Sequence, residues 1–426
     1  MGQHGRNRQW PANAKSHPFK DGPQSHMDLI EFNDCPTLHS GSDESATQLS
    51  STQFYVAESF NKWVVSDFFK TRIAIICQPD SWGSLAVSRP LFEAFVAHTN
   101  AIDGIWDTVL FFRNRTCDLE DGFSVCAWSM VENTCELTYI FKYAEQKKSH
   151  NEEIKWVIRK MGIYHKFCAG SNRNVWLLIY PEPVTSHEEV MFNFTSAIHH
   201  PLYPHVSFLS GRAQKWRWYL EDLEEQFREH ARCVLNVEIE ERLRFVEMYE
   251  ELSALRFVES SLAPLIPILA SYHQVLRRLE TMNQHLHRYD HIGEKESREF
   301  STLIGNMEDR VQSFELNTKH LLSRVASTIQ MASDTISLKN QNTAEDVSAH
   351  LLKDSLTMRI ITLVTLLFLP GTFVAGFFGM SFFDTDDSAG GKWTTSKNLL
   401  DLLCANNPFD GHGPRILEME VRARKN

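Results

Sequence analysis

The sequence predicts an α/β domain that gives way to a helical bundle, whose last and longest helix runs as a stalk into a single transmembrane helix. Three observations carry that prediction. Short β-rich runs separated by turn-rich pieces fill the chain from about Gln53 to Ser210. After Gly211, apolar residues recur at helical spacing among Glu and Arg. From Ile360 to Phe383 the chain reads IITLVTLLFLPGTFVAGFFGMSFF, with no charge between Arg359 and Asp384.

Taken in order, residues 1–50 are polar, rich in His, Asn, Ser, Gln and Pro, and lack the apolar core of a secretory signal peptide. They are expected to form a disordered N-terminal tail. Residues 51–210 form the α/β domain, with β-rich runs at Arg72–Cys77, Thr108–Phe112, Ser124–Val131, Leu137–Tyr143 and Val175–Tyr180. The pattern does not fix the order of these runs in a sheet. Residues 211–357 form the bundle and stalk. Trp216, Leu220, Leu223, Phe227 and Val234 open the helical pattern, and Leu252, Leu255, Leu262, Leu269, Leu276 and Leu279 continue it. Pro264 and Pro267 are expected to break or bend that second helix. Phe300, Ile304, Met307, Val311, Phe314, Leu321, Val325, Ile329, Ala332 and Ile336 then follow coiled-coil steps of three and four, with Thr318 in the one polar place. No proline and only Gly305 interrupts Glu299 to Met358. Two placements of this helix stay open: a stalk running into the membrane, or a bundle helix packed on its own domain.

Residues 358–383 are expected to cross the bilayer. At about 1.5 Å per residue the uncharged run spans roughly 36 Å, enough for the hydrocarbon core. A buried soluble helix is the alternative, but so long a run with only Thr, Gly and Ser as polar groups is uncommon there. The implied partner is a lipid bilayer. A net charge of −11 without a basic stripe argues against nucleic acid. Eight cysteines without a C-x-x-C pair fit reduced thiols better than a disulfide framework. No P-loop, G-x-S-x-G, H-E-x-x-H or paired Cys/His spacing occurs, so neither an enzyme nor a cofactor is implied. His199, His200 and His205 in HHPLYPH offer imidazoles to a transition metal, although a proline-rich surface loop is the preferred reading.

The run Met358-Arg359, Phe368-Leu369-Pro370-Gly371-Thr372-Phe373-Val374-Ala375-Gly376 and Gly379-Met380-Ser381-Phe382 resembles the first transmembrane helix and signature loop of the CorA-type divalent-cation (magnesium/zinc) transport family. It shares its F-L-P-G-T-F-V-A wording with a fungal-type branch of that family. The resemblance implies a cytosolic α/β domain, a long stalk helix, and a pentamer whose first membrane helices ring the pore. The transported ion would be Mg2+ or another divalent cation. Carried over position by position, the pore-facing line is Met358, Ile361 or Thr362, Thr365, Leu369, Thr372 and Gly376. It ends at the Gly379-Met380-Ser381 loop. Steps of three or four place these residues on one helix face. Each Thr hydroxyl either faces the ion or bonds back to the helix backbone.

Two departures from the family stand out. Ser381 replaces the signature Asn, which would leave a wider and weaker ligand ring at the mouth. After Phe383, residues 384–426 read as a polar C-terminal tail with no second apolar span, since Leu399 to Cys404 is too short. The chain therefore reads as a truncated CorA-like subunit, expected to be incomplete for transport. The alternative is a non-conducting, membrane-anchored assembly or regulatory protein. Asp384, Asp386 and Asp387 follow the loop, either concentrating cations or forming a solvated acidic stretch. Lys353 and Arg359 before the span balance Lys392 and Lys397 after it, so orientation rests on the resemblance, which puts the N-terminal domain in the cytosol.

Overall fold

The computed structural model describes residues 18–22, 25–33, 50–64, 69–80, 82–113, 124–131, 133–148, 154–181, 187–194, 200–235, 244–379, 383–385 and 393–395. The chain divides into two compact units, Met1–Ile336 and Ser337–Asn426. The first begins with β1 (Met27–Phe32), β2 (Ser50–Phe54), α1 (Ala57–Trp63), β3 (Thr71–Cys77), α2 (Arg89–Thr99) and α3 (Gly104–Leu110). Next come β4 (Cys126–Val131), β5 (Thr134–Lys148), β6 (Ile154–Cys168), β7 (Arg173–Tyr180) and α4 (His187–Phe192). The helices α5 (Tyr203–Ala213), α6 (Lys215–Leu235), α7 (Arg244–Leu262), α8 (Leu265–Arg288) and α9 (Glu294–Phe378) follow. Helix α9 gives Glu294–Ile336 to the first unit and Ser337–Phe378 to the second, which also holds the short pair β8 (Phe383–Thr385) and β9 (Trp393–Thr395).

The seven-stranded sheet runs β2-β1-β3-β7-β6-β5-β4, and among its pairs only β3 and β7 are parallel. Both faces are covered, and the alternation along each strand sorts side chains between them. Ile73, Ile75, Trp176 and Leu178 join the core shared with the later helices, whereas Ala74, Ile76, Leu177 and Ile179 join the core under α1 to α3. Burying each Ile or Leu this completely contributes about 1.5–3 kcal/mol before the entropy cost.

Three expectations change here. Met27–Phe32, assigned from sequence to the disordered tail of residues 1–50, forms β1 between β2 and β3, with Met27 and Leu29 in one core and Ile30 and Phe32 in the other. Thr108–Phe112 is not a strand: Ile105, Trp106 and Val109 bury one face of α3, a three-to-four-residue spacing that only a helix can point inward. Strand β6 was not expected at all. Its sequence carries four cations, but Arg159 meets Glu145 at 3.3 Å, Lys166 meets Glu136 at 3.1 Å and Lys160 donates to the Phe111 carbonyl at 2.5 Å.

The proline break falls at Ala263–Pro264, between α7 and α8. Pro267 instead lies within the first turn of α8, where a missing N–H strands no helical acceptor.

The coiled-coil seam of α9 has its partner within its own unit. Phe300, Ile304, Met307, Val311, Leu321, Val325, Ile329, Ala332 and Ile336 are all buried, most of them in the same core as α6 and α8. Thr318 is buried as well, its hydroxyl donating to the Phe314 carbonyl at 2.8 Å. Polar clasps flank the seam: Asn283 of α8 donates to Ser301 at 2.9 Å, and Arg324 reaches Glu224 of α6 at 3.1 Å. This part of α9 packs on its own domain, and the same helix continues unbroken into the apolar stretch that ends at Phe378, so α9 is both bundle helix and stalk.

Candidate functional site

Among the described residues two helical stretches are long and apolar enough to cross a membrane, Met248–Arg288 and Glu294–Phe378. The first supplies core: Leu265, Leu269, Leu276 and Leu279 of α8 are fully buried. The apolar window of α9 is wholly uncovered, with Leu366 at 69 %, Leu369 at 70 % and Phe373 at 72 % exposure. A contiguous apolar surface of this extent is not stable in water and must be covered by lipid or by other helices.

The residues expected to line a pore share one face of this segment. Met358, Thr362, Thr365, Leu369, Thr372 and Gly376 follow one another at steps of three and four within α9, and Ile361 flanks the line. The threonine hydroxyls all bond back to the helix. Thr362 donates to the Met358 carbonyl at 2.7 Å, Thr365 to Ile361 at 2.8 Å and Thr372 to Leu369 at 3.0 Å. A hydroxyl that donates inward presents only lone pairs outward, so the face offers acceptors. Pro370 has no N–H, which leaves the Leu366 carbonyl without its helical donor. The ladder continues to Gly379, whose N–H donates to the Ala375 carbonyl at 2.9 Å.

Met380, Ser381, Asp386 and Asp387 lie outside the described residues. The backbone of Asp384 pairs with Thr394 across β8 and β9. The helical line also continues backward through Asp354, Leu351 and Val347, all exposed, which the sequence reading did not follow past Met358. Carrying the same steps beyond the apolar boundary finds them.

The histidine cluster is not a surface loop. His199 lies outside the described residues, but His200 and His205 are buried at 3 % and 0 % exposure. The Leu202 N–H donates to His200 Nδ1, and His200 Nε2 donates to Asn283 Oδ1 at 3.0 Å while its ring stacks on Phe300. Tyr139 donates to His205 Nδ1 at 2.9 Å, and His205 Nε2 to His165 Nδ1 at 3.0 Å. His165 Nε2 in turn donates to Asn174 Oδ1 at 3.0 Å. Every ring nitrogen is thus committed to a hydrogen bond, which removes the transition-metal reading of these two imidazoles. Burial lowers His165 to about 3 and His200 to about 4, and it drives His205 well below the usual histidine range. Among the described residues no group of three or more His, Cys, Asp or Glu is placed to hold a metal ion.

The family comparison decides what the exposed helix belongs to. A model of CorA-like transporters matches residues 6–235, and a second, of the CorA-like Mg2+ transporter protein, matches residues 207–384. The chain belongs to the CorA-like transporters. Membership places it in a family of membrane-embedded divalent-cation transporters, and the exposed apolar stretch of α9 is the segment suited to that setting. No curated protein matches this chain. Solved structures that match include the cytoplasmic domain of ZntB from Vibrio parahaemolyticus RIMD 2210633. It is 12 % identical, covers 70 % of this chain and 98 % of that one, and has a TM-score of 0.29. Full-length CmaX is 11 % identical over 91 % of this chain and 95 % of its own, with a TM-score of 0.33. Overlap this low does not bear on how a CorA-like element is arranged here.

Proposed function

We propose that the chain is the subunit of a homo-oligomeric channel for Mg2+ or a similar divalent cation, a pentamer with its N-terminal domain in the cytosol. The uncovered apolar stretch of α9, with one line of threonines and small residues on it, carries this reading. In a ring of such helices, Met358, Thr362, Thr365, Leu369, Thr372 and Gly376 face the axis.

The chemistry suits a cation that keeps its water. Magnesium dehydrates reluctantly, so it is best guided through its hydration shell, whose hydrogens point outward. The back-bonded hydroxyls of Thr362, Thr365 and Thr372 present acceptors to those hydrogens. The Leu366 carbonyl freed by Pro370 adds another acceptor that water can satisfy. Met358 and Leu369 form apolar constrictions that gate by dewetting. Gly379-Met380-Ser381 forms the mouth, and Asp384, Asp386 and Asp387 raise the local cation concentration there.

The test is flux. The full chain reconstituted in liposomes loaded with a Mg2+-sensitive dye should conduct above protein-free liposomes, and Leu369→Asn should raise basal leak by hydrating the constriction. Correct insertion without flux would replace this reading by a membrane-anchored assembly or regulatory protein.

A further inference from the structure

An acidic chain with a net charge of −11 carries a conspicuously basic hollow among its described residues. Between α6 and α9, wholly within the first unit, lies a groove of about 500 Å3. Arg228 and Arg232 enter it from α6, and His320 and Arg324 from α9. On each helix the two nitrogen-bearing side chains stand four residues apart, which stacks them on one face. Ser323 and Ser327, again four apart, add hydroxyls between them. Phe227 forms an apolar floor, with the Arg324 guanidinium 5.0 Å above its ring.

Charge compensation in the groove is incomplete. Glu224 Oε1 serves two guanidiniums at once, Arg324 at 3.1 Å and Arg228 at 3.3 Å. Arg232 and His320 have no ionic or hydrogen-bonding partner among the described residues. Arg228 and Arg232 repel at this helical spacing on α6, and Arg324 facing them across the groove adds to the repulsion. An arrangement of that kind is relieved by an anion that brings several acceptor oxygens. The planar forks of Arg228, Arg232 and Arg324 match the oxygen spacing of a phosphate group, and the serine hydroxyls suit its remaining oxygens.

We propose that the groove between α6 and α9 binds a phosphate-bearing anion, with Arg232 and Arg228 as its principal contacts and Arg324 held in place by Glu224. The site is separate from the pore line and does not depend on the chain conducting. Its chemistry fits a soluble phosphate or the phosphate of a lipid headgroup, and the two are distinguished by which probe binds better.

The experiment uses the full chain in detergent and titration calorimetry with inorganic pyrophosphate and with short-chain phosphatidic acid. Saturable binding of at least one probe at low salt is expected, weakened about tenfold by Arg232→Glu because an attractive charge becomes repulsive. The milder pair Arg228→Gln with Arg232→Gln guards against misfolding and should weaken binding in the same direction. Arg256→Glu, exposed on α7 and away from the groove, should leave it unchanged. Tighter binding of pyrophosphate marks a soluble ligand, and tighter binding of phosphatidic acid marks a headgroup; either supports the site. Absence of saturable binding of both probes at millimolar concentration overturns the proposal, as does binding that Arg232→Glu leaves intact while thermal stability is unchanged. An acidic segment of a neighbouring chain filling the groove would produce the first of those two results.

Discussion

Helix α9 contains two regions that follow one helical phase and meet opposite surroundings. From Phe300 to Ile336 a narrow apolar seam sits among charged residues, and the seam is buried against α6 and α8. From Ile360 to Phe378 apolar residues cover the whole circumference and none is buried. The lesson is that amphipathic spacing specifies a protein partner, because one face must stay polar in water. All-round apolarity specifies a medium instead. The same contrast separates α8, equally rich in leucine, from the second part of α9.

Charge substitution gives the largest expected effects and would break the contrast if it failed. Leu363→Arg together with Leu367→Arg should raise the cost of insertion by roughly 6 kcal/mol, about 3 for each arginine near a bilayer centre. Loss of resistance to carbonate extraction, with the first unit still folded, is the expected outcome. Val325→Arg, at a fully buried position, should do the reverse: the first unit loses its cooperative melt while membrane insertion persists. If each variant produced the phenotype assigned to the other, the two regions would have been misjudged.

Truncating an aromatic in each region should differ by nearly as much. Phe300 is buried and stacked at 4.2 Å on His200, so Phe300→Ala should destabilise the first unit by about 3–5 kcal/mol in denaturant titration. Phe373 is exposed, and Phe373→Ala should leave that unit's stability unchanged.

The contrast also explains what could be read from the sequence. The seam was readable residue by residue because its neighbours are charged, and the membrane stretch because nothing charged interrupts it. Strand β6 was not, because Lys155, Arg159, Lys160 and Lys166 hide its alternation, and tertiary carboxylates such as Glu136 and Glu145 satisfy several of those charges from β5. Strand β1 was lost in a polar surround, since only six residues alternate there. His200 and His205 look solvent-facing among prolines; only the fold reveals that Asn283, Tyr139 and His165 supply their partners. The residues expected to line a pore were readable as one helical face, and of the two readings left open for their threonines the helix takes the back-bonded one.

Acid should separate the regions again, with a smaller effect. His165 titrates near 3 and His200 near 4 in the folded chain, against an ordinary value of 6.5. Between those values the unfolded state binds more protons, so stability is full above about pH 6.5 and falls as pH drops toward 4. Each histidine should remove on the order of 2 kcal/mol by pH 4.5. Urea midpoints of the first unit should therefore decline over that window, and His200→Gln should flatten the decline. The stretch from Ile360 to Phe378 has no titratable side chain, and its helical content should not change.

The finest comparison uses one residue type in both surroundings. Thr318 and Thr365 make the same bond, a hydroxyl donating at 2.8 Å to the carbonyl four residues earlier. In each case that carbonyl sits within the helical ladder, so deleting the hydroxyl strands no buried acceptor. Thr318→Val exchanges a satisfied hydroxyl for a methyl of similar size in a buried seam. It should change the stability of the first unit by less than about 1 kcal/mol, in either direction. Thr365→Val should be equally mild for folding, yet it removes an outward-facing acceptor from the proposed pore. Mg2+ flux in liposomes should then drop severalfold while the amount of inserted protein stays constant. If both variants were silent in every assay, the hydroxyl of Thr365 would be serving its own helix and nothing else, and the pore would run along a different face. If Thr318→Val instead cost several kcal/mol, the seam would depend on a polar contact beyond its back-bond, and the distinction between a face that packs and a face that conducts would need another residue to mark it.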